Sequence, residues 1–240
     1  MKCPYIFLIF VLFTMCCFAS EGYNVLVNPQ NPNIKTSANS QTLFILDYSN
    51  SMNEFLCDRT KFSLLLESMK IILKQISSDE KIGVRVYGHK LGFTPYDACR
   101  ASSLLVPIAS NNVIPIASSL SKLKPRGMTP ITYSLKQAVK NDFKNANGEK
   151  HIVLITDGGE NCDESPCTYA MELIKHRKDI KIDVIALNMH NEDDLDQLLC
   201  TATVTSGKLY KADTKAELLN SLEKTFKSKK QVDAIIVPNY

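Results

Sequence analysis

The 240-residue chain has no tryptophan and only nine glycines and ten prolines. Such low counts exclude a collagen-like or low-complexity chain. Neither sign of charge dominates: 28 Lys and Arg against 25 Asp and Glu leave a net +3. A basic footprint for nucleic acid is therefore missing, and nucleic acid is not an expected partner. No G-x-G-x-x-G follows a strand-like segment, and no Gly-rich phosphate loop is present, which disfavours dinucleotide and nucleotide chemistry. Beyond residue 20 there is no Asn-x-Ser/Thr sequon despite many Asn. That fits a bacterial exported protein better than a glycosylated ectodomain.

One long apolar run exists, at the N-terminus. Lys2 precedes it, and from Tyr5 to Ala19 the only polar residue is Thr14. The run is shorter than the roughly 20 residues a spanning helix needs. It suits the core of a signal peptide covering residues 1–19, cleaved after Ala19 or Ser20. An uncleaved anchor is the alternative, and the only expected route to a membrane. Of the eight Cys, three (Cys3, Cys16 and Cys17) leave with this leader. Cys57, Cys99, Cys162, Cys167 and Cys200 remain, in a secreted, periplasmic or cell-surface location where disulfides form. Five is odd, so one thiol is left over.

Residues 20–41, rich in Asn, Pro and Ser, read as a linker or arm. From Thr42 short apolar runs alternate with amphipathic ones. TLFIL (42–46), IGVRVY (82–87), LLVPI (104–108), HIVLIT (151–156), IDVIAL (182–187) and KLYKA (208–212) read as strands. Between them apolar residues recur at spacings of three and four, as in Phe62, Leu65, Leu66, Met69, Ile72, Leu73 and Ile76. This predicts an α/β domain over 42–228, with a mostly parallel central sheet and helices on both faces. TLFIL and HIVLIT lack a polar half and should be central, because both their faces are buried. Residues 229–240 form a short tail with an apolar run.

The chemistry gathers after those two strands. Asp47-Tyr48-Ser49-Asn50-Ser51 follows the first, and Asp157-Gly158-Gly159-Glu160 follows the second. Gly127-Met128-Thr129-Pro130 opens the helix between them. In an open parallel sheet, ligands bind outside the carboxyl ends of the strands where the topology reverses. Three hydroxyls (Ser49, Ser51, Thr129) and two carboxylates (Asp47, Asp157) are an all-oxygen donor set suited to a hard cation such as Mg²⁺. Singly, each piece has a structural reading. Thr129-Pro130 could be an N-cap with Pro at the first helical position, Asp157-Gly158-Gly159 a turn, and the two serines loop hydroxyls.

Together, Asp47-x-Ser49-x-Ser51, Thr129 and Asp157 resemble the metal-ion-dependent adhesion site of von Willebrand factor type A (VWA) domains. Arg85-Val86-Tyr87-Gly88-His89 and Thr156-Asp157-Gly158-Gly159-Glu160-Asn161-Cys162 also resemble bacterial exported members. The resemblance implies a Rossmann-like fold that is not an enzyme. It also implies Mg²⁺ or Mn²⁺ held by the five residues, and a protein partner whose acidic residue completes the coordination, with no small-molecule substrate. Asn50 departs from the Gly usual in the family, which raises a question about that turn's backbone. Glu160 is close enough to tune the site, or is a solvated surface carboxylate.

The first disulfide expectation is Cys57–Cys99, with Cys162 and Cys167 closing a small ring. Cys200 is an alternative partner for either, and a zinc site from Cys162, Cys167 and Cys200 is a further one. A rival function is a phosphohydrolase of the haloacid-dehalogenase type, which also places Asp after the first strand. Ser49 occupies the position of its second Asp, which leaves no evident general acid. A structural VWA domain with a vestigial site is the third reading.

Overall fold

A computed structural model describes residues 40–144 and 146–227. The signal-peptide, tail and most of the linker expectations lie outside the described residues. Gln41, read as the end of the linker, begins the first strand.

Among the described residues eight strands form: β1 (Gln41–Asp47), β2 (Phe55–Leu56), β3 (Arg59–Thr60), β4 (Lys81–Tyr87), β5 (Ser102–Ala109), β6 (Lys150–Thr156), β7 (Ile180–Leu187) and β8 (Leu209–Ala212). The helices are α1 (Lys61–Leu73), the single turn α2 (Pro95–Ala98), α3 (Val113–Ser119), α4 (Ile131–Gln137), α5 (Pro166–Leu173), α6 (Glu192–Val204) and α7 (Lys215–Lys227). A 3₁₀ turn spans Asn50–Asn53, and a π-helical turn, Ala138–Asp142, extends α4.

Six strands make one sheet in the order β5-β4-β1-β6-β7-β8, while β2 and β3 form a separate hairpin. Only the β4–β5 pair is antiparallel within the larger sheet. β1 and β6 are adjacent and central, as their unbroken apolar runs require. Alternation along β1 divides the core. Phe44 and Leu46 pack with Leu65, Met69, Leu222 and Phe226 on one side. Leu43 and Ile45 pack with Ile131, Leu135 and Leu198 on the other. Each such fully buried side chain contributes about 1.5–3 kcal/mol. The Phe44 and Phe226 rings meet at 5.9 Å. Helices therefore cover both faces of a mostly parallel sheet, the Rossmann-like architecture predicted.

The helices begin where short polar side chains can hold free backbone N–H groups. Thr60 accepts from Ser63 N at α1, and Asn191 accepts from Asp194 N at α6. Helix α5 was not picked out by periodicity, being only eight residues long. Its signal was local: Ser165 accepts from Thr168 N, and Pro166 occupies the first turn.

The first-choice disulfide pairs are not formed, while the alternative that gave Cys200 to Cys167 is. Cys99 bonds Cys162 and Cys167 bonds Cys200, with Cα–Cα distances of 5.5 and 5.4 Å. Cys57 cannot meet Cys99, which Cys162 already holds. It sits exposed in the turn between β2 and β3, at φ 60°. The Cys162–Cys167 ring fails because α5 starts between them. Cys167 lies in its first turn and bonds to α6, whereas Cys162 bonds to the end of α2. With all three sulfurs bonded, the zinc alternative built on Cys162, Cys167 and Cys200 falls away.

Candidate metal centre

The five singled-out donors lie at or just beyond the carboxyl ends of the central strands. Asp47 is the last residue of β1, and Asp157 follows the last residue of β6. β1 leads outward to β4 and β6 to β7, so the strand order reverses between them. Ser49 and Ser51 belong to the loop and 3₁₀ turn after β1. Thr129 precedes α4.

Backbone contacts bind these loops together. Ser49 bridges Gly127 in parallel, and Asn50 N–H donates to Gly127 O at 3.0 Å. Gly127 N–H donates to Gly88 O at 2.7 Å. Gly88 has φ +71°, and a Cβ there would stand 2.6 Å from Ser49 N and 2.7 Å from Met128 O. Only glycine lets the end of β4 approach both loops this closely. Thr129 is tied to the third loop through Asn161, whose Oδ1 accepts from Thr129 N at 2.7 Å. Pro130, not Thr129, occupies the cap position of α4, and no side chain caps that helix. The N-cap reading of Thr129 is therefore not realised. Asn50 is absent from the residues with positive φ, so the turn needs no glycine there.

The side chains form a connected set of oxygens. Ser49 Oγ and Ser51 Oγ are 3.0 Å apart, and Ser51 donates to Asp157 Oδ1 at 2.8 Å. Asp47 accepts from Ser49 N–H at 2.6 Å, from the Tyr87 hydroxyl at 2.9 Å and from the Thr156 hydroxyl at 2.8 Å. Asp47, Ser49, Thr129 and Asp157 are all buried, and Ser51 is half-buried.

All three donors to Asp47 are neutral, and Asp157 adds a second negative charge that acts on it. Burial, then the charge of Asp157, pushes Asp47 up from 3.8 to about 6 against the pull of its hydrogen bonds. Burial and the Asp47 charge also hold the Tyr87 phenol well above its ordinary value, so it remains a donor. The centre thus concentrates negative charge among hydroxyl and carboxylate oxygens, a composition that fits a hard divalent cation. Among the described residues no group of three or more His, Cys, Asp or Glu could hold a metal. The two carboxylates here are supplemented by the hydroxyls of Ser49 and Ser51.

Three neighbours have roles that sequence reasoning did not assign. Lys61, the first residue of α1, turns inward, with Nζ 3.0 Å from Asp157 Oδ2 and 2.7 Å from Glu54 Oε2. Its sequence signal, a Lys just after a helix cap, is indistinguishable from a solvated one. Asn161 was noted only within the resemblance motif, yet it joins two loops. Glu160 is neither solvated nor aimed at the centre's donors: it accepts from Thr132 N at 2.7 Å and Cys162 N at 3.0 Å. Burial raises its pKa while those backbone donors oppose the shift.

A family model of the von Willebrand factor type A domain matches residues 40–210. The chain belongs to the von Willebrand factor type A family. It is 27% identical over 188 residues to the uncharacterized protein YwmC of Bacillus subtilis, covering 77% of this chain and 82% of that one. Among solved structures it resembles proximal thread matrix protein 1 from the mussel byssus, in a form with a zinc-occupied MIDAS motif. The TM-score is 0.60 at 18% identity, over 79% of this chain and 45% of that longer one. It also resembles the pilus adhesin SpaC from Lactobacillus rhamnosus GG, with TM-score 0.59 and 12% identity, over 79% of this chain and 30% of the adhesin. At such identities the structural likeness speaks for the fold, which this VWA domain shares.

Proposed function

We propose that this VWA domain is an exported protein-binding module, not an enzyme, that works through a divalent cation. Asp47, Ser49, Ser51, Thr129 and Asp157 would hold Mg²⁺ or Mn²⁺. One observation carries the reading: two buried carboxylates, Asp47 and Asp157, face a cluster of hydroxyls, and Asp47 has only neutral donors. Such a charge is costly without a cation nearby. When bound, the cation supplies a positive centre for an acidic residue of a partner protein.

The chain's own residues prepare that event. Tyr87 and Thr156 orient Asp47 from beneath, and Ser51 and Lys61 fix Asp157 from two sides. The Cys99–Cys162 bridge ties the loop after β4 to the loop after β6 and stiffens the rim. Leu91, Phe93 and Tyr96 stand exposed on that cross-linked loop. An exposed apolar group beside the centre supports a protein partner over a small molecule. The zinc-occupied motif of the mussel protein supports a cation here, and the likeness to a pilus adhesin supports a surface or exported setting. Two disulfides are in keeping with an oxidising compartment. No helix among the described residues is long and apolar enough to cross a membrane. The phosphohydrolase reading finds no support, since Ser49 rather than a carboxylate stands two residues after Asp47.

The test is thermal unfolding with and without Mg²⁺ or Mn²⁺. Either cation should raise the midpoint of the wild type, and Asp47→Ala should abolish the rise. Absence of any rise in wild type would remove the cation from the account. Partner capture that persists in EDTA would move the binding surface elsewhere.

A further inference from the structure

Lys61 is placed oddly for a residue at the start of a surface helix. Its side chain is 8% exposed, although α1 opens toward solvent-exposed Glu54. Its backbone N–H donates to Glu54 O at 2.9 Å, and its ammonium reaches Glu54 Oε2 and Asp157 Oδ2. The ammonium is thus held, by geometry, against one of the two carboxylates that would face a cation.

Two consequences follow from electrostatics. Asp157 has its oxygens divided, with Oδ2 on Lys61 and Oδ1 on Ser51. Lys61 thus decides which oxygen the carboxylate presents to the hydroxyl cluster. The charge balance changes as well. Counting the buried groups alone and leaving out exposed Glu54, Asp47, Asp157 and Lys61 sum to one negative charge, which a dication would convert to one positive charge. Without Lys61 the same loaded centre would be neutral. A like charge a few ångströms from a cation weakens its binding, and a positive centre attracts a carboxylate better than a neutral one.

We propose that Lys61 is a positioning residue and counter-charge that limits the centre's affinity for divalent cations and keeps the loaded centre net positive toward an acidic partner. This rests on the reading of the centre as a cation site. Glu54, outside and largely solvated, moderates the Lys61 charge.

Calorimetric titration with MgCl₂ and with MnCl₂ separates this role from a purely structural one. Lys61→Met should bind each metal on the order of tenfold more tightly than wild type, despite losing an ion pair that stabilises the fold. Lys61→Arg keeps the charge and should restore an affinity close to wild type. Glu54→Gln, at an exposed position that folding tolerates, should weaken binding by about two- to threefold. Loss of a merely structural lysine would leave the affinity unchanged or weaken it. Wild type that binds metal while Lys61→Met binds no more tightly overturns the proposal and leaves the cation reading intact. If Lys61→Met does not fold, Glu54→Gln decides alone, and unchanged or tighter binding there overturns the proposal. No heat of binding in any of the four proteins overturns the cation reading itself.

Discussion

Two carboxylates are completely buried in this sheet, Asp47 at the end of β1 and Asp183 within β7, and their surroundings differ in kind. Asp183 lies among cationic and polar donors. His151 Nε2 is 2.8 Å and Lys181 Nζ 3.0 Å from Oδ2, and Lys208 N–H donates to Oδ1 at 2.7 Å. Burial alone would raise its pKa, yet His151 and Lys181 hold it below the ordinary value. Asp47 has as many hydrogen bonds, all from neutral groups, and is raised to about 6. Hydrogen-bond count is therefore not what separates them. The missing ingredient at Asp47 is positive charge. The fold completes one buried carboxylate internally and gives the other no cationic donor.

The comparison breaks most visibly under isosteric neutralisation without metal. Asp183→Asn removes the carboxylate that pairs with Lys181 and meets the His151 ring, and leaves those buried partners mismatched. Removing one member of such a buried set costs about 3–5 kcal/mol, measurable as a lowered urea midpoint. Asp47→Asn removes a charge that nothing nearby balances. Its metal-free stability should lie within about 1 kcal/mol of wild type, and a stabilised variant would suit the argument equally. Equal and large losses at both positions would show that Asp47 is internally compensated after all.

Adding cation should invert the ranking. At a concentration one hundred times its dissociation constant, a ligand specific to the folded state adds about 2.7 kcal/mol. Wild type and Asp183→Asn should both gain that increment, because Asp183 is part of a separate cluster. Asp47→Asn should gain little. An undiminished increment in Asp47→Asn, read from denaturation curves with and without Mg²⁺, would place the cation elsewhere.

These two carboxylates were not equally legible in the sequence. Asp47 announced itself through position, since it closes an apolar run and opens the D-x-S-x-S pattern. The same logic found β1 and β6 as central strands, because missing alternation reports burial on both faces. Asp183 gave no such sign. It sits inside IDVIAL, and it meets its partner His151 only once β6 and β7 pair in parallel register. Lys61 was hidden for the same reason: inward and outward lysines at a helix start look identical until the loop around them folds. Cys167–Cys200 was among the pairings the sequence left open, whereas the Cys162–Cys167 ring is ruled out because α5 begins between the two. That short helix is signalled by Ser165-Pro166 rather than by periodicity.

The smallest expected effect is in pH, and there the two carboxylates oppose each other. Asp47 in the folded protein titrates near 6, above its ordinary 3.8. Between those values the folded state binds the extra proton, so metal-free stability falls as pH rises from about 4 to 6. Asp183 is depressed, so its contribution is present above the ordinary carboxylate value and is lost as pH falls through the lowered one. His89 also titrates in the upper window. Burial, with Lys90, lowers it to about 4, so its contribution is lost as pH falls from 6.5 to 4, opposite in sign to Asp47. His89 is common to wild type and Asp47→Asn, so the difference between their metal-free stabilities isolates the aspartate. That difference should widen from pH 4 to 6 in favour of Asp47→Asn and stay flat above 7. Saturating Mg²⁺ should reverse the ordering at neutral pH, since the cation then binds the charge that was uncompensated. A difference that is flat across pH 4 to 6 would mean that Asp47 ionises as freely as a surface carboxylate, and the contrast with Asp183 would lose its physical basis.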